Sequence, residues 1–233
     1  MKKDSIQKNK RKITVIVPVR AGSRRLKNKN ILPFGKNNLL VNKIEELKKV
    51  PEIDTIVVSS DSDQMLDMAR SSGVRTHKRD LEYADDKSRP FGDVVRHICE
   101  NVEGEDIMWA TVTCPMIFKE HYSDAIKKYY WALENGYDSL LPVEPFKDFL
   151  WDENGPLNYE LGKKHVISQN LPQLYFARFG MLLAPRIKMI QWHYFHGPKP
   201  FRYVLDKINA VDIDDALDLE VARAWLNYLN DSR

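Results

Sequence analysis

Two rhythms of apolar spacing alternate along the chain. Ile13-Thr14-Val15-Ile16-Val17-Pro18 and Thr55-Ile56-Val57-Val58-Ser59 are short β-branched runs, the pattern of strands buried on both faces. Between them Leu40, Ile44 and Leu47 recur at helical spacing, which predicts a helix over 39–50. The same reading predicts helices over 62–72, stopped by Gly73, from Pro90 at a first-turn position through Cys99, over 119–134, and over 215–229. Further strands are predicted over 106–112 and 139–143, near Gly180-Met181-Leu182-Leu183, and over 201–205. Strand and helix alternate with short connections, so the fold class is α/β: a mixed, parallel-rich sheet of about seven strands with helices on both faces.

Two stretches break the rhythm. Residues 144–173 hold Pro145, Gly155, Pro156, Gly162 and Pro172 among short apolar pieces such as Phe149-Leu150-Trp151; they read as an excursion from the main sheet, a small β-arm. The opening MKKDSIQKNKRK is polar throughout and reads as a flexible basic tail over 1–12, ahead of a single domain over 13–233. It lacks the apolar core of a signal peptide.

Composition narrows the function classes. The chain has 233 residues, 10% of them aromatic, with ordinary Gly and Pro content, which excludes fibrous and wholly disordered readings. Its formal net charge is +3, but the tail carries Lys2, Lys3, Lys8, Lys10, Arg11 and Lys12 against Asp4 alone, so the folded body is slightly acidic. A nucleic-acid face needs positive charge spread over the body, and no apolar run is long enough to span a bilayer; neither a nucleic acid nor a membrane is expected as partner. Cys99 and Cys114 are too few for a disulfide scaffold or a zinc site, and a reducing cytoplasm is the expected location.

The candidate chemistry lies just past the first strand, in Pro18-Val19-Arg20-Ala21-Gly22-Ser23-Arg24-Arg25-Leu26-Lys27-Asn28-Lys29-Asn30. Ligands of open α/β sheets bind beyond the carboxyl ends of the strands. Gly22 lets backbone N–H groups approach an anion, and five cations fall between Arg20 and Lys29, so the loop suits a triphosphate. It is neither GxxxxGK[ST] nor GxGxxG, which sets aside P-loop and dinucleotide readings; the competing reading is a solvated basic loop. Near the other end, Asp212 and Asp214 point to the same side of an extended segment and can hold Mg²⁺ together with phosphate oxygens and water. Helix capping is the competing role there, with Asp214 or Asp215 ahead of Ala216-Leu217.

The basic loop resembles the signature of the sugar-acid cytidylyltransferases, which make CMP-sialic acid, CMP-Kdo and related activated sugars. Their opening runs approximately P-A-R-x-G-S-[+]-x-[IL]-P-x-K-N. Pro18, Arg20, Gly22, Ser23, Arg24, Leu26, Lys29 and Asn30 fit it, while Val19 stands for Ala and Lys27 for Pro. Ser59-Ser60-Asp61-Ser62-Asp63 resembles the family's turn after its second strand. Arg79, Ala84, Asp86 and Ser88 resemble the segment lining its cytosine and ribose pocket. Val211-Asp212-Ile213-Asp214 with Leu217, Leu219 and Ala222 resembles its D-I-D ending. The resemblance reaches nearly the whole chain beyond the tail, and the acylneuraminate branch is the nearer one.

The resemblance implies a three-layer α/β/α nucleotidyltransferase (Rossmann-like) fold whose arm, at 144–173, pairs two copies into a homodimer. It implies attack of the anomeric hydroxyl of a 2-keto-3-deoxy sugar acid on the α-phosphorus of CTP, with pyrophosphate leaving and Mg²⁺ as cofactor. Arg20 and Lys29 become the catalytic clamp. Ala21, Gly22, Ser23, Arg24, Asn30, Arg79, Ala84 and Ser88 become the nucleotide site, and Asp212 and Asp214 the metal ligands. The departures fall on the sugar side. Thr111-Val112-Thr113-Cys114-Pro115-Met116-Ile117 stands where the sialic-acid branch has Q-P-T-S-P-L-R, and Ile167-Ser168-Gln169-Asn170-Leu171-Pro172 keeps the Gln and Leu-Pro of R-R-Q-x-L-P without its Arg pair. Thr111, Gln169 and Arg178 are the acceptor candidates, the acceptor being of sialic, legionaminic or pseudaminic type. A different nucleotide or sugar, and a silent binding protein of the same fold, are the alternatives. His193 and His196, the thiol of Cys114 and the aromatic strip Tyr129-Tyr130-Trp131 read as packing or surface residues.

Overall fold

Ile13–Pro18 forms β1 because a β-branched run loses little by extending and gains by burial on both faces. Val15 and Val17 enter one hydrophobic cluster and Ile16 the other. The computed structural model describes residues 11–23, 25–84 and 88–231; tail residues 1–10, Arg24 and Asp86 lie outside them. Two short strands, β2 (Pro33–Phe34) and β3 (Asn37–Asn38), pair with each other and lead into α1 (Leu39–Lys48), capped by the side chain of Asn38. Then follow β4 (Thr55–Ser60), α2 (Asp63–Ser71), β5 (Arg75–Lys78), α3 (Phe91–Asn101), β6 (Asp106–Trp109) and α4 (Lys119–Glu134).

The second half holds β7 (Ser139–Phe146), the hairpin β8 (Trp151–Asp152) and β9 (Gly155–Pro156), then β10 (Leu174–Ala177) and β11 (Leu182–Pro185). It closes with α5 (Arg186–Trp192), β12 (Pro200–Val204) and α6 (Ala216–Asp231).

The main sheet has eight strands, ordered β10-β7-β11-β6-β1-β4-β5, with β12 joined to β7. β5, β4, β1 and β6 run parallel. β11 turns the sheet antiparallel against β6 and β7, β10 pairs antiparallel with β7, and β12 is parallel to it. Helices α1, α2, α4 and α6 cover one face around Leu40, Ile44, Tyr122 and Ala222. Helices α3 and α5 cover the other, around Val95, Ile98 and Met189. The expected mixed sheet in three layers is thus what the chain forms.

Three expectations are corrected in detail. The strand predicted over 106–112 stops at Trp109, because 110–117 leaves the sheet as a buried loop crossing the strand ends. β5 and α5 were not anticipated. β5 reads Arg-Thr-His-Lys without a fully buried side chain, and α5 has seven residues, too few for a periodic signal. Of the predicted tail, Arg11 and Lys12 are docked: the Arg11 guanidinium donates to buried Asp106 at 2.6 Å and the Lys12 N–H to Glu105 at 2.8 Å.

Candidate functional site

Sheet order reverses between β1 and β6, since the chain leaves β1 for β4 on one side and returns to β6 on the other. The carboxyl ends of these strands open a crevice at such a switch point. A cleft of about 810 Å³ lies there, bounded by Pro18 and Val19 after β1 and by Trp109 to Thr113 at the end of β6. Its residues fall into two chemical sets, one cationic and one aromatic.

The cationic set comes mainly from the loop after β1. Gly22 sits at φ +71°, a left-handed conformation that costs a Cβ-bearing residue about 1 kcal/mol or more. Asn28 takes the same conformation, φ +56°, tolerated by a short polar side chain, and starts a 3₁₀ turn over Lys29–Ile31. The side-chain amide of buried Asn30 donates to the Arg20 carbonyl at 2.9 Å, and the Ala21 N–H donates to Asp61 at 3.0 Å, so the loop is tied at its root. Arg20, Ser23, Arg25 and Lys29 line the cleft, with an Arg20 nitrogen 3.4 Å from the Ala84 carbonyl.

Arg79, at the end of β5, lines the same cleft and is only 4% exposed. Its Nη2 donates to the Val19 carbonyl at 2.8 Å, while its buried Nε has no partner. Burial pulls the guanidinium below its usual pKa, and the Asp61 carboxylate opposes that shift. A buried charged donor left unpaired costs of order 1–3 kcal/mol. Such a group at the wall of a cleft is suited to an anionic or carbonyl ligand.

Opposite the loop in sequence, the segment ahead of α6 delivers two carboxylates. The N–H of buried Ile213 donates to the Thr113 carbonyl at 2.8 Å, which leaves Asp212 and Asp214 half-buried on either side of it. Asp214 accepts from Arg25 at 2.5 Å and from the Lys29 ammonium at 3.3 Å; that ammonium also donates to the Ile213 carbonyl at 2.9 Å. Asp215 caps α6 by accepting the N–H groups of Leu217 and Asp218. Capping falls to Asp215, then, while Asp214 is taken up by Arg25 and Lys29. Two hard carboxylates make a donor set that fits Mg²⁺ once an anion draws Arg25 and Lys29 off Asp214 and phosphate oxygens and water complete the shell. Among the described residues, no group of three or more His, Cys, Asp or Glu side chains forms a protein-only metal cage.

The aromatic set converges on Phe195. Its ring lies 5.5 Å from Phe91, 6.0 Å from Trp109, 5.3 Å from Phe179 and 4.2 Å from Tyr194, centroid to centroid, and all five residues line the cleft. Sequence reasoning passed over them because they come from α3, β6, the loop before β11 and the turn after α5. The one local signal is Tyr194-Phe195 directly after His193, whose φ of +51° ends α5.

Of the residues expected to read the acceptor, Thr111 lines the cleft and its hydroxyl donates to the Phe179 carbonyl at 3.3 Å. Gln169 sits in a 3₁₀ turn of the arm, and Arg178 grips Glu144 through both Nε and Nη2; neither is among the cleft-lining residues. Ala84 lines the cleft, whereas Ala21, Gly22, Ser88, Asp212 and Asp214 do not, Asp214 reaching it only through Arg25 and Lys29. Cys114 is buried and its thiol is pushed up to about 12 by desolvation, which suits packing and not nucleophilic attack. His193 faces Asp93 at 3.3 Å.

Comparison with known proteins places the geometry in a family. A family model described as cytidylyltransferase matches residues 14–146. The chain is 26% identical over 219 residues to an N-acylneuraminate cytidylyltransferase of Escherichia coli, covering 91% of this chain but 51% of that protein. It therefore spans about half the length of that relative. It is 25% identical over 221 residues to a pseudaminic acid cytidylyltransferase of Campylobacter jejuni, covering 89% of this chain and 93% of that one. Among solved structures, CMP:2-keto-3-deoxy-manno-octonic acid synthetase complexed with CTP superposes with a TM-score of 0.68 at 12% identity, over 93% of this chain and 99% of the other. A cytidylyltransferase of Leptospira borgpetersenii gives 0.64 at 19% identity, over 94% and 87%. These likenesses agree on the fold.

Proposed function

The chain belongs to the cytidylyltransferase family, and from that premise we propose that it joins the cytidylyl group of CTP to the anomeric hydroxyl of a 2-keto-3-deoxy sugar acid, of sialic, legionaminic or pseudaminic type, releasing pyrophosphate. The observation that carries this reading is that Lys29 and Arg25, which line the cleft together with Arg79, both meet the half-buried Asp214 just outside its lining.

Binding and alignment are the protein's share of such a transfer, since the transition state asks for positioning and charge neutralisation more than for covalent help. Arg20 and Lys29 clamp the triphosphate, and the sequence adds Arg24 as a further cation of the same loop; Ser23 and Asn30 add hydrogen bonds, and the backbone at Ala21 and Gly22 approaches the phosphates. Arg79, with Ala84 and Ser88, holds the nucleoside. Asp212 and Asp214 hold Mg²⁺, which when bound neutralises phosphate charge and polarises the attacked centre. The acceptor lies against Thr111 and the aromatic set. The attacking oxygen forms its bond to the α-phosphorus as the bond to pyrophosphate breaks, and the hydroxyl proton is released.

The hairpin arm carries exposed Trp151, Leu157, Leu161 and Ile167, which supports a homodimer formed through it. No helix among the described residues is long and apolar enough to cross a membrane, and the cytoplasm is the proposed site of action. One observation favours a second reading, a different acceptor sugar: the guanidinium expected to meet the sugar carboxylate, Arg178, is closed on Glu144.

The test is pyrophosphate release with Mg²⁺ and each of the four nucleoside triphosphates against a panel of 2-keto-3-deoxy sugar acids. Release with CTP and one acid establishes the reaction and its acceptor. CTP binding without release from any acid sinks the proposed transfer and points to an acceptor outside this class or to a binder of the same fold.

A further inference from the structure

Lys43 is the buried cation that the proposed transfer does not use. It sits on the inward face of α1 and is 2% exposed. Its ammonium donates to the Cys114 carbonyl at 2.8 Å and to the Tyr122 hydroxyl at 2.6 Å. Desolvation lowers its pKa from 10.5 to about 8, against the pull of Cys114, Glu46 and Asp212. Carrying a cation into a core is costly, and sequences depart from apolar packing in this way mostly where function asks for it.

What the ammonium holds is the loop over 110–117, which is mostly buried and leaves the ladder after the Ala110 N–H donates to the Ile16 carbonyl at 2.9 Å. Buried carbonyls must be satisfied by something. Here the Thr113 carbonyl takes the Ile213 N–H at 2.8 Å, the Met116 carbonyl takes the Asn209 side-chain amide at 2.7 Å, and the Cys114 carbonyl takes Lys43. Two of these three ties lead into the segment that ends in Asp212 and Asp214. The third leads to the helix that follows the cationic loop. An ammonium offers three donors from one atom, so Lys43 can serve the loop carbonyl and the α4 hydroxyl together.

We infer that Lys43 is a positioning residue: from beneath the cleft it pins the 110–117 loop to α1 and α4, and through Thr113 it sets where the Asp212–Asp214 segment stands relative to the cationic loop. This rests on the proposed transfer for its functional meaning, but the placement can be read without turnover.

Lys43→Met removes the donor at similar length, and Lys43→Gln restores a donor without the charge. Backbone hydrogen exchange is followed at Ile213 and, as a reference, at Val15 and Val17, alongside steady-state rates. Lys43→Met is expected to speed exchange at Ile213 at least tenfold while leaving β1 as in the parent. It should lower kcat at least tenfold with the KM for CTP within threefold, and Lys43→Gln should recover both to within threefold. Unchanged exchange at Ile213 overturns the inference. So does acceleration that spreads equally through β1, which makes Lys43 a core residue and nothing more, or a Gln variant as impaired as the Met one. If the parent protein turns over no acceptor, the transfer reading falls while the exchange data still decide the role of Lys43.

Discussion

The two halves of the cleft are built differently. The cationic half, proposed to take phosphate, is local: Arg20, Ser23, Arg25, Lys29 and Asn30 come from one loop after one strand, and Arg79 and the Asp214 that pairs with Arg25 and Lys29 are brought from elsewhere. The aromatic half, proposed to take the acceptor, is assembled: Phe91, Trp109, Phe179 and Phe195 come from four separate elements and meet only because β6 and β11 are neighbours and α3 packs on α5. A site written into one segment depends on that segment's ties, whereas an assembled site depends on the packing of the whole second half.

The largest effect should come from the phosphate half. Asp214→Ala removes the partner of both Arg25 and Lys29 and a proposed metal ligand; pyrophosphate release should fall about 10³-fold, within the range seen when a group acting on the transition state is deleted. A fall of less than threefold would detach Asp214 from the chemistry. Next, Arg79→Met removes a charged donor worth about 1.5–3 kcal/mol, so CTP should bind about 10–100-fold more weakly by calorimetry. Unchanged CTP affinity would mean that the buried guanidinium is structural only.

In the acceptor half, Phe179→Ala should raise the KM for the acceptor about tenfold, from the loss of about 1–2 kcal/mol of aromatic contact, and leave CTP binding alone. An equal weakening of both substrates would erase the division into halves. The smallest catalytic effect is expected at Arg178→Ala. It strands buried Glu144 and should lower Tm by several degrees, at about 2–4 °C per kcal/mol for a chain of this size, while the acceptor KM stays within threefold. A tenfold rise there would return Arg178 to the acceptor site.

The same contrast governs what could be read from the sequence. β1, α1, β4 and α4 announced themselves because their burial follows one period over a whole element, as in Ile13–Pro18 with five of six side chains fully enclosed. β5 and β10 carry mostly exposed or half-exposed side chains, so edge strands of this kind leave no alternation to detect. The cationic loop was legible as a contiguous motif, and Asp215 as a cap followed from its place before Ala216-Leu217. The aromatic cluster had no such signature, since Phe195 becomes a hub only once α3 and α5 are stacked. Lys43 stands on the apolar stripe, three residues after Leu40 and four before Leu47, so its burial was legible; its partners were not, because the fold brings Cys114 and Tyr122 to it.

Arg25 and Lys29 are both engaged with Asp214, which makes the carboxylate a resident counter-ion and the loop a small ion exchanger. Triphosphate binding then trades one anion for another and releases little from solution. On the proposed function, the affinity for CTP should accordingly vary less steeply with ionic strength than five loop cations would suggest.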